Sequence, residues 1–257
     1  MEVIQGEHGG FFLAAVASLT KKKREFYEVV PPGQDLQNNY NGKFRFVFRR
    51  GGRKVEITID DKLPTIKDRL VFAHDVNNSF WCPLLEKAYA KFLGGYQHLY
   101  NGTIVESFQH LISQNVKTIK LDTNSNADNI FNQLVEWERK NHLICCKSKD
   151  ENSNNVHYGS GYTVTGTERR TEHSNNHSGN KVGYVRIRNP KGYLIPSEWT
   201  SIRMENGEGW LRIEEFIQRM MFIYHVEAEN TINYEAGVVQ IPIRLSRNPT
   251  EHTCFRG

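Results

Sequence analysis

The side chains that could act as nucleophiles or metal ligands in this chain are few and scattered. Its four cysteines are Cys82, Cys145, Cys146 and Cys254, and none of them forms a CxxC pair. If the adjacent Cys145 and Cys146 lie on a strand, their side chains point to opposite faces of the sheet. The cysteine pattern therefore indicates neither a structural zinc site nor a disulfide framework.

Two of the histidines have the spacing of a metal pair. His173 and His177 are four residues apart, which places two ligands on one face only if the segment is helical. The residues around them are rich in Asn, Ser and Gly, which favour loops. We therefore expect a solvated hairpin loop over residues 167–180, without a metal ion.

The size and composition of the chain favour a soluble globular protein. Its 257 residues leave room for one large domain or for two lobes that share a cleft. The net charge of +4 comes from basic residues dispersed among 29 acids, so nucleic acid is not expected as a partner. The longest apolar run, Phe11 to Ala17, is far shorter than the about 20 residues of a membrane span. The N-terminus does not resemble a secretory signal, so we expect a cytoplasmic protein.

The elements that must position any site follow from the spacing of apolar residues. Helical spacing predicts a buried helix that begins near residue 10, a core helix over 80–93 that ends at Gly94-Gly95, and a short helix over 103–112. Strict alternation over 43–59 predicts a β-hairpin with one buried face and a basic opposite face.

The second half of the sequence has a different pattern. We expect strands over 116–121, 143–146, 162–165 and 182–188 and a helix near residues 130–135. The last main helix is expected to carry Trp210, Ile213, Phe216, Ile217, Met220, Met221 and Tyr224. The first half is thus predicted to be mainly helical and the second mainly β.

Several stretches carry a family resemblance, and they occur in family order over residues 4–226. They are Phe12 to Thr20, Asp60 to Thr65, Phe80 to Lys91, Tyr162 to Gly166, Ile187 to Pro190, Glu198 to Thr200 and Gly207 to Trp210. The sequence resembles the protease core of calpains, which are papain-like cysteine endopeptidases.

The resemblance implies an α+β fold with two lobes that face each other across a cleft. It implies a helical lobe over residues 1–114 and a β-rich lobe over 115–226. Residues 227–257 would form a linker or the start of a following β domain. Since the chain begins just before the first core helix, we expect a fragment or truncated form of a longer calpain-like protein.

The family mechanism needs a thiolate at the start of the first core helix, a histidine that pairs with it, and an asparagine that orients the imidazole. The resemblance places Gly10 at the cysteine position and Ser160 at the histidine position. Asn189 is retained at the asparagine position, although a polar residue before proline is also an ordinary turn former. His157 could replace the missing base only if the strand slipped by an odd number of residues, which would reverse its faces.

The positions that support the catalytic groups have also changed. The family glutamine of the oxyanion hole falls on Ile4, or on Gln5 if one residue is deleted. The tryptophan that shields the histidine from water is replaced by Lys191.

Calcium enters this interpretation only through the resemblance, because the family closes its cleft by binding two calcium ions. One ligand position, a glutamate in the family, is Ser79 here. In the second site, Glu198 and Glu208 are retained and Asn206 stands where an aspartate is expected, which makes Glu198 and Glu208 the candidate calcium ligands. From the residues we expect no cofactor. Calcium is the one ion that the family resemblance suggests.

Three functions remain open at this point. The first is a calpain-like pseudoprotease that binds protein substrates or partners without cleaving them. The second is an active calcium-dependent cysteine endopeptidase, for which the nearest cysteine in sequence, Cys82, lies on the wrong element. The third is a polyanion or membrane-surface module that uses Lys21 to Arg24 and the basic hairpin, without the aromatic stacking typical of nucleic-acid binding.

Overall fold

The computed structural model describes most of the chain between residues 3 and 227. The described residues are 3–4, 10–34, 36, 40–67, 69–71, 73–75, 80–100, 102–112, 115–149, 160–172, 180–190, 202–203 and 207–227.

The first half contains short helices and paired strands. In chain order they are β1 (Val3–Ile4), α1 (Gly10–Leu19), α2 (Lys23–Val29), β2 (Phe44–Arg50), β3 (Arg53–Ile59), β4 (Thr65–Ile66), β5 (Arg69–Leu70), β6 (His74–Asp75), α3 (Trp81–Leu93), a 3-10 helix (Tyr96–Leu99) and α4 (Ile104–Ile112). The small strands pair as β1 with β6, β2 with β3 and β4 with β5.

The second half is built on one sheet. Its elements are β7 (Val116–Lys120), α5 (Ala127–Arg139), β8 (Leu143–Ser148), β9 (Gly161–Glu172), β10 (Asn180–Arg188), β11 (Ile202–Arg203), β12 (Glu208–Arg212), α6 (Ile213–Arg219) and β13 (Met220–Val226). The seven strands have the order β11-β12-β10-β9-β8-β13-β7, and every pair is antiparallel.

The predicted hairpin and core helix are confirmed. Strands β2 and β3 pair from Phe44 with Ile59 to Arg50 with Arg53, and the two-residue turn between them has φ values of 57° and 78°. Two positive φ angles favour glycine, which explains the Gly51-Gly52 pair. Helix α3 ends at Gly94, whose φ of 99° is the left-handed C-cap conformation.

The predicted last helix is wrong at both ends. Only Ile213–Arg219 is helical, whereas Trp210 lies in β12 and Met220 and Tyr224 lie in β13. Tyr224 pairs with Cys145 of β8 and with Thr118 of β7. Apolar residues at helical spacing suggested one long helix, but pairing with distant strands overrides the local pattern.

The predicted loop over 167–180 is also partly wrong, because β9 continues to Glu172 and β10 begins at Asn180. His173 and His177 lie outside the described residues. Helix α2 had no predicted counterpart. Among the described helices, none is both long and apolar enough to cross a membrane.

The buried apolar side chains form two clusters that share β8 and β13. The first cluster joins α1, α2, α3, α4 and the β2–β3 hairpin, and it includes Leu143 and Cys145 of β8. The second cluster lies between the sheet and helices α5 and α6, and it includes Ile144 and Cys146. Cys145 and Cys146 therefore point to opposite faces, as predicted. The lobe boundaries near residues 114 and 226 stay a prediction, and residues 228–257 lie outside the described part.

Candidate active site

Helix α1 is an apolar helix that is buried on nearly every side. Phe12 to Val16 are almost inaccessible, and so is Leu19. The Phe12 ring stacks on Tyr89 of α3 at a centroid distance of 3.8 Å. A helix without a polar face is stable only when protein surrounds it. Its first residue, Gly10, is therefore held in place by the packing of the whole helix.

The start of α1 lies directly against the start of β9. A Cβ atom placed on Gly161 would lie 3.3 Å from the carbonyl oxygen of Gly10 and 3.1 Å from Cδ1 of Phe11. Such distances are tighter than normal contacts, so the approach uses the absence of a side chain at Gly161. Ser160 precedes Gly161 in the chain. The structure thus brings together Gly10 and Ser160, the two residues that the resemblance puts at the cysteine and histidine positions.

Ser160 is fixed by the end of β8. Its backbone N–H donates to Oγ of Ser148 at 3.0 Å, and the N–H of Ser148 donates to the carbonyl oxygen of Ser160 at 3.0 Å. Ser148 is buried, whereas Ser160 is partly exposed. The two bonds hold the backbone at residue 160 while its side chain remains accessible.

Asn189 lies at the same end of the sheet. It follows β10, whose last residue Arg188 pairs with Thr163 of β9, so Asn189 comes next to the first residues of β9. Asn189 is buried, and its backbone N–H donates to the carbonyl oxygen of Gly207 at 2.8 Å. Asn189 therefore lies at the same end of the sheet as Ser160 and the start of α1. The catalytic assignments of Gly10, Ser160 and Asn189 stay predictions.

None of the described cysteines supplies a reactive thiol at this end of the sheet. Cys82, Cys145 and Cys146 are all fully buried. Burial raises the pKa of Cys145 to about 12 and raises the pKa of Cys146 well above its usual value. The Cys145 thiol donates to the carbonyl oxygen of Ala14 at 3.4 Å. The thiols of Cys145 and Cys146 therefore stay protonated near neutral pH, and a protonated thiol is a poor nucleophile. Cys254 lies outside the described residues.

Side-chain hydrogen bonds from Thr163 and Cys145 of the sheet, and from Lys21 just after α1, join this part of the chain to β8 and β9, and the sequence did not predict them. Thr163 Oγ1 donates to the carbonyl oxygen of Ala14 at 2.8 Å, beside the Cys145 thiol. Lys21 Nζ donates to the carbonyl oxygen of Val164 at 3.0 Å, and burial lowers the pKa of Lys21. In the sequence, Lys21 stands out only as part of a basic run, and no local pattern marks Thr163. Local patterns cannot predict these two hydrogen bonds, because each joins residues more than 100 positions apart.

The calcium ligands suggested by the resemblance can be tested only at Glu208. Its carboxylate lies 3.7 Å from Nε of Arg186, so its charge is partly neutralised by an arginine. Calcium takes six to eight oxygen ligands. Within the described part of the chain, no group of three or more His, Cys, Asp or Glu could hold a metal ion. Glu198, Asn206 and Ser79 lie outside it. Calcium binding therefore stays a prediction from the resemblance, and we derive no step through calcium.

The basic face of the β2–β3 hairpin is largely engaged within the protein. Arg49 donates to Glu28 at 2.5 Å and to the carbonyl oxygen of Leu111. Arg50 donates to the carbonyl oxygen of Phe92 at 2.6 Å, and its guanidinium lies 4.4 Å from the centre of that ring. These arginines bind the hairpin to α2, α3 and α4, which leaves less charge for an external polyanion.

The mixed helices and antiparallel sheet form an α+β fold that agrees with a papain-like cysteine protease core. Comparison with known proteins narrows the class. The family described as "Calpain family cysteine protease" matches residues 1–234. Calpain-12 of Mus musculus is 33% identical over 241 residues, which cover 84% of this chain and 32% of calpain-12. Calpain clp-1 of Caenorhabditis elegans is 35% identical over 229 residues, covering 86% of this chain and 28% of the relative.

A third relative, the calpain-2 catalytic subunit of Mus musculus, is 35% identical over 223 residues, which cover 83% of this chain and 30% of that protein. The chain belongs to the calpain family, and the resemblance predicted from the sequence is confirmed. It spans about a third of the length of these curated relatives.

Proposed function

We propose that this calpain-type domain has lost peptide hydrolysis and acts by binding protein or peptide partners in its cleft. The observation that carries the proposal is the contact between the start of α1 and the start of β9, where Gly10 lies against Gly161, the residue that follows Ser160. A cysteine protease needs a thiolate at the first position and an imidazole at the second. Glycine offers no attacking atom, and a serine hydroxyl is not a base near neutral pH.

The other described groups do not supply replacements. The thiols of Cys82, Cys145 and Cys146 are buried in the two apolar clusters. Loss of either the nucleophile or the base removes most of the rate in enzymes with such a constellation, and losing both costs little more than losing one. Asn189 is buried and its backbone N–H donates to the carbonyl oxygen of Gly207, which supports a structural role in the turn before Pro190.

The test is an assay of the full chain with casein and with a fluorogenic peptide, in calcium and in EGTA. The catalytic subunit of mouse calpain-2 serves as the active control. We expect no hydrolysis above the buffer rate and no labelling by a thiol-directed peptide epoxide. Casein cleavage that a thiol reagent blocks would overturn the proposal.

Binding is measured separately, by adding the chain in excess to the active control. A binder of the same substrates should slow casein hydrolysis in proportion to its concentration, because it sequesters substrate. If the rate of the control does not change and casein is not retained on the immobilised chain, substrate binding is wrong even though hydrolysis is absent.

The polyanion alternative has less support, because Arg49 and Arg50 are used in internal contacts. Retention on heparin tests it. Elution below physiological salt would agree with our proposal, whereas retention well above it would favour the basic module.

A further inference from the structure

A pair of histidines joins the end of α5 to the last strand of the sheet. His142 follows α5 in a tight turn, where its N–H donates to the carbonyl oxygen of Trp137 at 2.8 Å. His225 lies in β13 and pairs with Ile144 of β8. Nδ1 of His142 and Nε2 of His225 are 2.5 Å apart, and the ring centroids are 4.7 Å apart. Because the nitrogens are much closer together than the ring centres, they face each other across the gap between the rings.

The surroundings of the pair are unequal. His225 is 2% exposed, and its ring lies flat on Trp137 at a centroid distance of 4.1 Å and an angle of 11°. Its second nitrogen, Nδ1, is buried and has no hydrogen-bond partner among the described residues. His142 is only partly buried, so its outer nitrogen can carry a proton at a lower desolvation cost.

The number of protons determines which nitrogens of the pair are protonated. Two neutral imidazoles carry two N–H protons, and one of these lies in the hydrogen bond between the rings. The second proton therefore sits either on Nε2 of His142 or on the buried Nδ1 of His225. The accessible Nε2 is favoured, which makes His225 the donor and His142 the acceptor in the shared bond. A third proton has only Nδ1 of His225 left, where it would form a buried N–H without an acceptor.

The charges around the pair also oppose a third proton. Lys117 of β7 pairs directly with His225 across the sheet. Lys140 at the end of α5 and Lys22 after α1 add positive charge, whereas Glu227 supplies negative charge but is ion-paired with Lys117. Burial and these neighbours lower the pKa of His225 to about 4, and burial lowers the pKa of His142.

We propose that the His142–His225 pair is an acid-sensitive latch, which fastens the turn after α5 to β13 while neutral and releases it when a third proton is taken up. Because both pKa values lie below the usual 6.5, the unfolded chain binds protons first as pH falls. The stabilisation by the latch is therefore complete above about pH 6.5 and is lost progressively toward pH 4.

Unfolding of the full chain, measured in urea between pH 7.5 and pH 5, tests the latch. The variant His225→Phe keeps a ring on Trp137 and removes the titrating group, and His98→Gln alters an exposed histidine as the matched control. From a pKa of 6.5 in the unfolded chain and about 4 in the folded one, the unfolding constant of the wild type should rise about 30-fold more than that of His225→Phe. His98→Gln should behave as the wild type. A difference below about threefold would overturn the latch.

A second measurement does not depend on the folding of the variant. In the wild type, NMR of the imidazole nitrogens should show His225 unchanged down to pH 5. Below that pH, amide protection at residues 142–144 and 224–226 should fall before protection in α3. Titration of His225 near pH 6.5, or simultaneous loss of protection in α3, would contradict the proposal.

Discussion

At the scale of single residues, the family resemblance puts Gly10 and Ser160 at the positions of the catalytic cysteine and histidine. The carbonyl oxygen of Gly10 packs against Gly161, and the backbone N–H of Ser160 donates to Oγ of Ser148 at the end of β8. If these contacts were all that a catalytic site needs, two substitutions would restore an enzyme. The contacts around these two residues argue against such a restoration. The Phe11 ring lies against Gly161 of β9, and its centre is 5.5 Å from the ammonium of Lys147, so it occupies space beside the proposed site.

The double variant Gly10→Cys with Ser160→His should therefore have at most feeble activity. A thiolate and an imidazole must be held to a fraction of an ångström, with oxyanion donors aimed at the developing charge. Since the loss of one such donor costs 10² to 10³ in rate, we expect turnover at least about 100-fold below that of calpain-2. A fluorogenic peptide assay with both single variants as controls measures this. Strong calcium-dependent turnover would mean that the loss is confined to these two residues.

At the scale of elements, the docking of α1 on the sheet depends on the glycine at the start of β9. Gly161→Ala would put a methyl group 3.1 Å from Phe11 and 3.4 Å from Cβ of Ala14. Overpacking of this kind costs about 1–3 kcal/mol of unfolding free energy. Gly102→Ala is the matched control, because nothing lies within 4 Å of its Cβ position. Urea unfolding of both variants checks the prediction, and equal effects would show that α1 does not press on β9.

Helix α3 carries a buried carboxyl group that should make the fold sensitive to alkali. Oε2 of Glu86 accepts from the N–H of Ala73 at 2.7 Å, while Oε1 has no hydrogen-bond partner within the described part of the chain. Burial raises the pKa of Glu86 to about 8. The folded chain therefore keeps this proton longer than the unfolded chain, and the associated stability is lost as pH rises from about 4.5 toward 8.

The variant Glu86→Gln tests this sign. Between pH 5 and pH 9 the wild type should lose roughly 3 to 5 kcal/mol more unfolding free energy than Glu86→Gln. The exposed Glu56→Gln should follow the wild type. If all three chains have the same pH dependence, Glu86 ionises in the folded state without penalty.

The sequence predicted those elements that local chemistry decides. The alternating phenylalanines of β2 and the glycine pair after it specify a hairpin, and Gly94 marks the end of α3. The prediction of one helix from Trp210 to Tyr224 was wrong. The spacing of its apolar residues suits a helix, but the strands with which its two ends pair, in β8, β7 and β10, are far away in sequence. Gly10, Ser160 and Asn189 were identified only through the family resemblance. No local pattern predicted the contact of Thr163 with α1 or the contact of Lys21 with β9.

At the scale of the whole molecule, the two apolar clusters are not independent. Alternate residues of β8 belong to different clusters, since Leu143 packs in the first and Ile144 in the second. Strand β13 divides in the same way between Tyr224 and Ile223. If such a strand detaches from the sheet, apolar side chains are lost from both clusters at once. The described part of the chain should therefore unfold as one cooperative unit, although a two-lobed core could unfold in two steps.

Substitution on the two faces of β8 distinguishes these cases. Leu143→Ala removes apolar contacts from the first cluster and Ile144→Ala from the second, and each should cost about 2–5 kcal/mol because both side chains are buried. If β8 couples the clusters, each variant lowers the midpoint of unfolding. For a given variant, tryptophan fluorescence and far-UV circular dichroism should then show the same shift of the midpoint. Trp81 reports on the first cluster, whereas Trp137 packs against the second. Two separate transitions, with Leu143→Ala moving one and Ile144→Ala the other, would show that the lobes unfold independently and that β8 belongs to only one of them.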